Sequence, residues 1–163
     1  MKQNRRNKWI FGILTLLWMG FIFMMSRENG ESSAEISGNI TVFLQKLFFK
    51  EWNKLSDADF AMSMHALQYF LRKAAHFTEY LILGGLLTGF LIQFKKHKIS
   101  VFVYSWCLGT LYAVTDEFHQ MFVADRACQV FDICIDSAGV LLGILAFSGV
   151  FYLGGLSEAS FKR

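Results

Sequence analysis

Four long blocks of apolar residues constrain this chain more than any other feature of its sequence. Residues 9–25 carry no charge, and residues 74–94, 99–116 and 133–153 are nearly as apolar. A helix needs about 20 mostly apolar residues to cross the hydrocarbon core of a bilayer. The runs are continuous, whereas the strands of a membrane β-barrel alternate apolar and polar residues. The sequence therefore predicts an all-α membrane protein with about four transmembrane helices.

The amino-acid composition also favours a membrane protein. Of the 163 residues, 54% are hydrophobic and 18% are charged, whereas a soluble domain has about 25% charged residues. This composition excludes both a soluble globule and a disordered chain, and residues 1–163 are expected to form a single integral membrane domain.

The first block also resembles a signal peptide, but no small-x-small cleavage site follows it. The net charge of +3 forms no basic stripe, so nucleic acid is excluded as a partner.

The positions of Lys and Arg predict how the helices are oriented. Residues 2–8 contain four of them, residues 95–98 contain three, and the last two residues are Lys162 and Arg163. The segment between the third and fourth blocks contains only Arg126. Because short cytoplasmic segments are rich in Lys and Arg, both termini are expected in the cytoplasm. The connection over residues 26–73 would then be extracytoplasmic.

That connection carries two signals for the start of a helix. Ser32 with Glu35 forms a capping-box pattern, and apolar residues recur at helical spacing from residue 36 to residue 48. We therefore expect an extracytoplasmic amphipathic helix between the first and second spans. Ser56 with Asp59 repeats the pattern, which predicts a helix that starts near Asp57 and continues into the second span.

Polar side chains occupy the outer half of three spans, where they are costly unless they face one another. Helical spacing places residues 72, 76 and 80 on one face, residues 116, 119 and 120 on a second, and residues 132 and 136 on a third. These faces lie at one depth, so we expect them to converge in an outward-facing pocket. The candidate ligand-binding residues are Arg72, Lys73, His76, Tyr80, Tyr112, Asp116, Glu117, His119, Gln120, Arg126, Asp132 and Asp136.

Three interpretations of this cluster remain open. It could be an ion-pair network that only holds the helices together. It could bind a ligand, or it could supply acid–base catalysis, for which the candidates are His76, Glu79, Asp116, Glu117 and His119. No cofactor is evident. A divalent metal is a further hypothesis, because His76, Glu79, Asp116 and His119 include two carboxylate–histidine pairs at a spacing of three. The sequence leaves undecided whether Cys128 and Cys134 form a disulfide.

The fourth block contains a stripe of small residues. Gly139, Gly143 and Ala146 continue the face of Asp132 and Asp136. Small residues at a spacing of four allow another helix to approach closely. We therefore expect this face to pack against a second helix.

Three motifs in this order resemble the VanZ-like family, over residues 72–143. They are Arg72-Lys73-Ala-Ala-His76-Phe77-Thr-Glu79-Tyr80-x-x-Leu83-Gly84, Tyr112-x-x-x-Asp116-Glu117-x-His119-Gln120-x-Phe122, and Arg126-x5-Asp132-x3-Asp136-x2-Gly139-x3-Gly143. The chain departs from the family pattern in two places. Ala124-Asp125 stands where the family often has Pro-Gly, and Asp136 stands where it often has Asn.

The resemblance implies a multi-pass protein of the bacterial cytoplasmic membrane, within a family whose founding member is associated with resistance to the glycopeptide teicoplanin. The partners expected are membrane lipids or lipid-linked intermediates of the cell envelope. The polar pocket would engage a lipid headgroup, a lipid-linked wall precursor or a glycopeptide. The alternative is an intramembrane hydrolase or transferase that acts on a lipid headgroup by His/Asp acid–base or metal chemistry.

Overall fold

The computed structural model describes residues 2–27, 38–44, 47, 56–94, 97–123 and 129–161. All regular structure in these ranges is helical, as the apolar blocks predict. Three helices contain segments long and apolar enough to cross a membrane, namely Arg6–Ser26, Asp57–Leu91 and Val130–Val150. The four long helices are α1 (Lys2–Ser26), α2 (Asp57–Leu91), α3 (Lys98–Gln120) and α4 (Val130–Phe161).

Helix α2 begins where the second capping pattern predicts. The Ser56 hydroxyl accepts a hydrogen bond from the Asp59 backbone N–H at 3.2 Å and donates one to the Asp59 carboxylate at 2.6 Å. Such a cap satisfies a backbone donor that has no partner within the helix. The helix then continues for 35 residues, or about 52 Å, which confirms an unbroken helix into the second apolar block.

The most extensive helix contact joins α2 to α4. Here Gly84, Gly139 and Gly143 form a small-residue seam in which the two backbones touch. A Cβ atom on Gly143 would collide with the carbonyl group of Leu81, and one on Gly84 would collide with the backbone of Val140. The small residues at a spacing of four do therefore mark a close helix approach, and α2 is the partner.

Helix α3 packs beside this pair. Gly109 of α3 accommodates the side chain of Val140, and Ser105 and Ala113 of α3 are fully buried. Helix α3 extends to Gln120, so Asp116 and Glu117 belong to its last turns.

Helix α1 lies against α2 and α3 along a narrow stripe. Thr15, Ile22 and Ser26 are buried, and their spacing of seven and four places them on one face. Most other residues from 9 to 25 are apolar and exposed, including Trp9 and Leu17 at 70% and 66% exposure. A helix that is apolar all round suits a lipid environment.

Part of the predicted amphipathic helix is described. Residues 38–44 are helical, with Thr41 buried and Ile40 and Phe43 exposed. Gly38 lies beside Gln68 of α2. The other residues of the predicted helix over 36–48 are outside the described residues, apart from the exposed Leu47.

Candidate functional site: a buried polar cluster

The polar faces of α2, α3 and α4 meet at the end of the bundle where α1 and α3 end and α4 begins. We call this the polar cluster. Its members are buried or half-buried. They are Lys73 and Tyr80 from α2, Asp116, Glu117 and Gln120 from α3, and Asp132 and Asp136 from α4.

An ion pair between Lys73 and Asp132 joins α2 to α4. The two side chains are 11% and 13% exposed. Both residues lie in line with the small-residue seam, since Lys73 precedes Phe77 and Gly84 at helical spacing, and Asp132 precedes Gly139 in the same way. The close approach of the two helices therefore determines which lysine meets which carboxylate.

Side chains of α3 link the other helices to this pair. One Glu117 carboxylate oxygen accepts a hydrogen bond from the Gln129 backbone N–H at 3.0 Å, just before α4 begins. The Gln120 amide donates to the Ser26 hydroxyl at 2.9 Å and to the Asp116 carboxylate at 3.3 Å. These bonds connect the end of α1 with the cluster.

Tyr80 and Asp136 form the most deeply buried part of the cluster. Both side chains are fully buried. Asp136 lies within electrostatic range of Asp116, Glu117, Asp132 and Glu79, and Tyr80 lies within range of Asp116 and Asp136. Among the described residues, neither the Tyr80 hydroxyl nor either carboxylate oxygen of Asp136 has a hydrogen-bond partner. Burying such groups without a partner costs about 1–3 kcal/mol each.

The two candidate histidines and Tyr112 lie around this centre. The ring of His119 packs against Phe23 of α1 with centroids 4.6 Å apart, and its buried Nε2 has no hydrogen-bond partner in the described part of the chain. His76 is half-buried on α2. The Tyr112 hydroxyl donates to the Met19 carbonyl oxygen at 2.6 Å, so it is engaged in holding α1.

The structure does not bring every candidate into the cluster. Arg72 is half-buried and has no ion-pair partner among the described residues. Arg126 and Cys128 lie outside the described residues, and Cys134 is an exposed free thiol. Within the described ranges, no group of three His, Cys, Asp or Glu side chains is placed to hold a metal ion.

Ser137 and Thr115 are next to cluster residues in the sequence, but their hydroxyls form hydrogen bonds outside the cluster. The Ser137 hydroxyl is hydrogen-bonded to the Thr110 hydroxyl at 2.9 Å and accepts from the Trp106 indole at 3.0 Å. Thr115 is exposed and donates to the Tyr112 carbonyl oxygen at 2.7 Å. Within the described residues, neither hydroxyl is hydrogen-bonded to a histidine or a carboxylate, as an activated nucleophile would be.

Sequence reasoning missed the contribution of α1. Ser26, Phe23 and Trp18 all contact the site, the last through a hydrogen bond of 2.9 Å from its indole N–H to the Glu79 carbonyl oxygen. The sequence does contain a signal for the face of α1 that packs against the bundle. Thr15 and Ser26 are small polar residues in the otherwise apolar segment 9–26, and they mark its packed face.

Comparison with known proteins gives the family but no detailed counterpart. No curated protein and no solved structure has a significant match to the chain. A family model described as VanZ/LLP1 matches residues 11–152, which include most of α1 and all three motifs. The chain therefore belongs to the VanZ/LLP1 family.

Proposed function

We propose that this protein crosses the bacterial cytoplasmic membrane four times and that its polar cluster engages the head of an amphiphile at the outer leaflet. The head would belong to a lipid, a lipid-linked wall precursor or a glycopeptide. Membership in the VanZ/LLP1 family supports a link to antibiotic resistance in general, and we extend it to resistance of the teicoplanin type.

The proposed topology rests on the lengths of the helices and on the positions of Lys and Arg between them. Helix α3 has 23 residues, or about 34 Å, enough to cross a hydrocarbon core of about 30 Å. It follows α2 after a short connection that contains Lys95 and Lys96, which favours a cytoplasmic turn. Both termini would then be cytoplasmic, and the polar cluster would face the outer leaflet. The exposed Ile40 and Phe43 suit a helix that lies in the interface nearby.

One observation carries the proposed binding role. The Tyr80 hydroxyl and the Asp136 carboxylate are fully buried and lack hydrogen-bond partners among the described residues. An ion-pair network that served only packing would be more stable without them, because a buried polar group without a partner destabilises the fold. Groups of this kind are expected where a ligand, rather than the protein, completes the hydrogen bonds.

The cations and carboxylates have separate parts in this proposal. Lys73 is paired with Asp132, so Arg72 and Arg126 are the groups that we assign to a phosphate or carboxylate of the ligand. Asp116 and Glu117 accept hydrogen bonds that position α3, and His76 and His119 lie at the edge of the cluster.

Tyr80 and Tyr112 provide a matched test. Tyr80→Phe removes a hydroxyl that has no partner among the described residues, so it should leave stability unchanged or raised. It should lower protection against teicoplanin about tenfold, the effect of roughly 1.4 kcal/mol of lost ligand contact. Tyr112→Phe removes a bonded hydroxyl and should lower stability. Protection is measured by susceptibility of cells with equal membrane levels of each variant, with the exposed His65→Gln as the unchanged control. Full protection by Tyr80→Phe would contradict the proposal.

The same assay separates binding from the alternative, an intramembrane hydrolase or transferase. Arg126→Lys keeps the charge but removes the planar fork, and His119→Gln removes the titrating nitrogen. A binding site should tolerate His119→Gln better than Arg126→Lys. Acid–base or metal chemistry should show the opposite order, with a loss of roughly 10²-fold in the histidine variant.

A further inference from the structure

A groove with a volume of about 290 Å³ lies between α1, α2 and α3. Its walls are almost entirely apolar and include Leu16 and Met19 of α1, Leu87 and Phe90 of α2, and Leu108 and Tyr112 of α3. It extends along α1 from Gly12 to Met19, a distance of about 10 Å. The groove is a separate feature from the polar cluster, and Tyr112, which lies beside the cluster, is one of its walls.

The groove opens sideways between the helices. Leu16 and Leu108 on its walls are 70% and 46% exposed. Because α1 and α2 both contain segments suited to cross a membrane, this opening faces hydrocarbon rather than water. The molecules that surround it are therefore the chains of bilayer lipids.

The groove also leads towards the polar cluster. The ring of Tyr112 lies 6.3 Å from the ring of Tyr80, measured between centroids, and Asp116 follows Tyr112 by one helical turn. A molecule with an apolar chain in the groove would place its head at the cluster. Occupancy of both features calls for an amphiphile.

The inner end of the groove is narrow. A single Cβ atom on Gly12 would lie 3.2 Å from the ring of Phe90, closer than ordinary van der Waals contact. A volume of about 290 Å³ suits part of one chain. A narrow groove favours an unbranched acyl chain over an isoprenoid chain with regular methyl branches.

We propose that this groove binds one unbranched acyl chain of a bilayer phospholipid, with the headgroup against the polar cluster. The inference rests on the proposed function, because that function supplies the site for the head. It adds the chemical class of the apolar part of the ligand and the place where it is held.

Photo-crosslinking in vesicles tests the inference directly. The full chain is reconstituted in phosphatidylethanolamine and phosphatidylglycerol, with a trace of phosphatidylethanolamine carrying a diazirine near the middle of one acyl chain. Illumination followed by peptide mass spectrometry should place the label on the α2 and α3 walls near Leu87 and Leu108. Labelling spread evenly over the exposed apolar face of α1 would overturn the inference.

Neighbouring leucines on α1 provide the matched control. Leu16→Trp fills the groove, whereas Leu17→Trp adds the same side chain at a similarly exposed position that does not line it. We expect groove labelling to fall about tenfold in Leu16→Trp and to be unchanged in Leu17→Trp, at equal thermal stability. Leu108→Trp and Leu111→Trp repeat the comparison on α3. Equal labelling within both pairs would refute acyl-chain binding.

Two further arms separate this inference from the proposed function. An excess of polyprenyl phosphate should not displace the label, and displacement would identify an isoprenoid and overturn the acyl-chain assignment. Loss of protection in Tyr80→Phe without any groove labelling would retain the proposed function and reject this inference. Groove labelling that persists while Tyr80→Phe protects fully would reject the proposed function and retain the acyl chain.

Discussion

Helices α4 and α1 are attached to the bundle in different ways. Helix α4 meets α2 backbone to backbone along the small-residue seam, where an added Cβ atom would collide with the partner helix. Helix α1 is attached at separate points, through Trp18, through Tyr112 and Met19, and through Ser26. The groove is open beside the preceding turns of α1, from Gly12 to Met19.

The difference shows how one small bundle combines a rigid contact with an adaptable one. In lipid, helices gain little from hydrophobic burial against each other, so close packing and hydrogen bonds decide how tightly they associate. The α2–α4 contact uses packing and leaves no room for other side chains. The α1 contact combines the buried Ile22 with hydrogen bonds, and it leaves room for a lipid chain beside Leu16. Each contact can be disturbed separately.

Breaking the seam should have the largest effect. Gly143→Leu places a side chain against the Leu81 backbone, which cannot rotate away as a side chain could. We expect a loss of about 4 kcal/mol in the free energy of unfolding, above the usual range for overpacking. Equilibrium unfolding in mixed micelles measures it. Gly149→Leu is the control, because a Cβ there meets nothing within 4 Å. Equal stability of the two variants would show that the seam is not tightly packed.

Removing the ion pair should have an intermediate effect. Lys73→Met leaves Asp132 partly buried without its cation, and we expect a loss of about 2 kcal/mol because both side chains retain some exposure. The double variant with Asp132→Leu should recover most of that loss in the same unfolding experiment, since no unpaired charge remains. A double variant less stable than Lys73→Met would mean that the pair itself, rather than the relief of an isolated charge, stabilises the contact.

Disturbing one attachment of α1 should have the smallest effect. Trp18→Phe keeps an aromatic ring beside Phe21 but removes the hydrogen bond to the Glu79 carbonyl oxygen. The expected loss is about 1 kcal/mol, the usual contribution of one such bond. The exposed Trp9→Phe should change nothing in the same measurement. A loss of unfolding free energy as large as that of Gly143→Leu would mean that the α1 contact is as sensitive to substitution as the α2–α4 contact.

The sequence predicted the features of this bundle that depend on local spacing. Ser56 and Asp59 predicted the start of α2, and Gly139 with Gly143 predicted a close helix approach. Asp116 and Gln120, four residues apart, were predicted to share a face, and both are buried beside α1. These features follow from helical geometry within one segment.

Features that depend on the rotation of one helix against another were harder to predict. Arg72 and Lys73 are adjacent and equally basic, yet Lys73 alone is paired with Asp132 in the described part of the chain. The choice follows from the seam, which turns that side of α2 towards α4. The partners of α1 were missed for a related reason. An almost uniformly apolar helix gives little indication of which face packs, and Ser26 acquires its role only through the distant Gln120.

The position of Asp132 in the chain has a consequence for biosynthesis. Helix α4 is the last of the four long helices to be translated. It supplies Asp132, the partner of Lys73, and the backbone of Val140, which packs against Gly84 of α2. Until it emerges from the ribosome, Lys73 lacks its ion-pair partner and Glu117 lacks its bond to the Gln129 backbone N–H. We therefore expect the nascent chain to keep this end of α2 and α3 near water or the insertion machinery until α4 arrives, and the bundle to close only then.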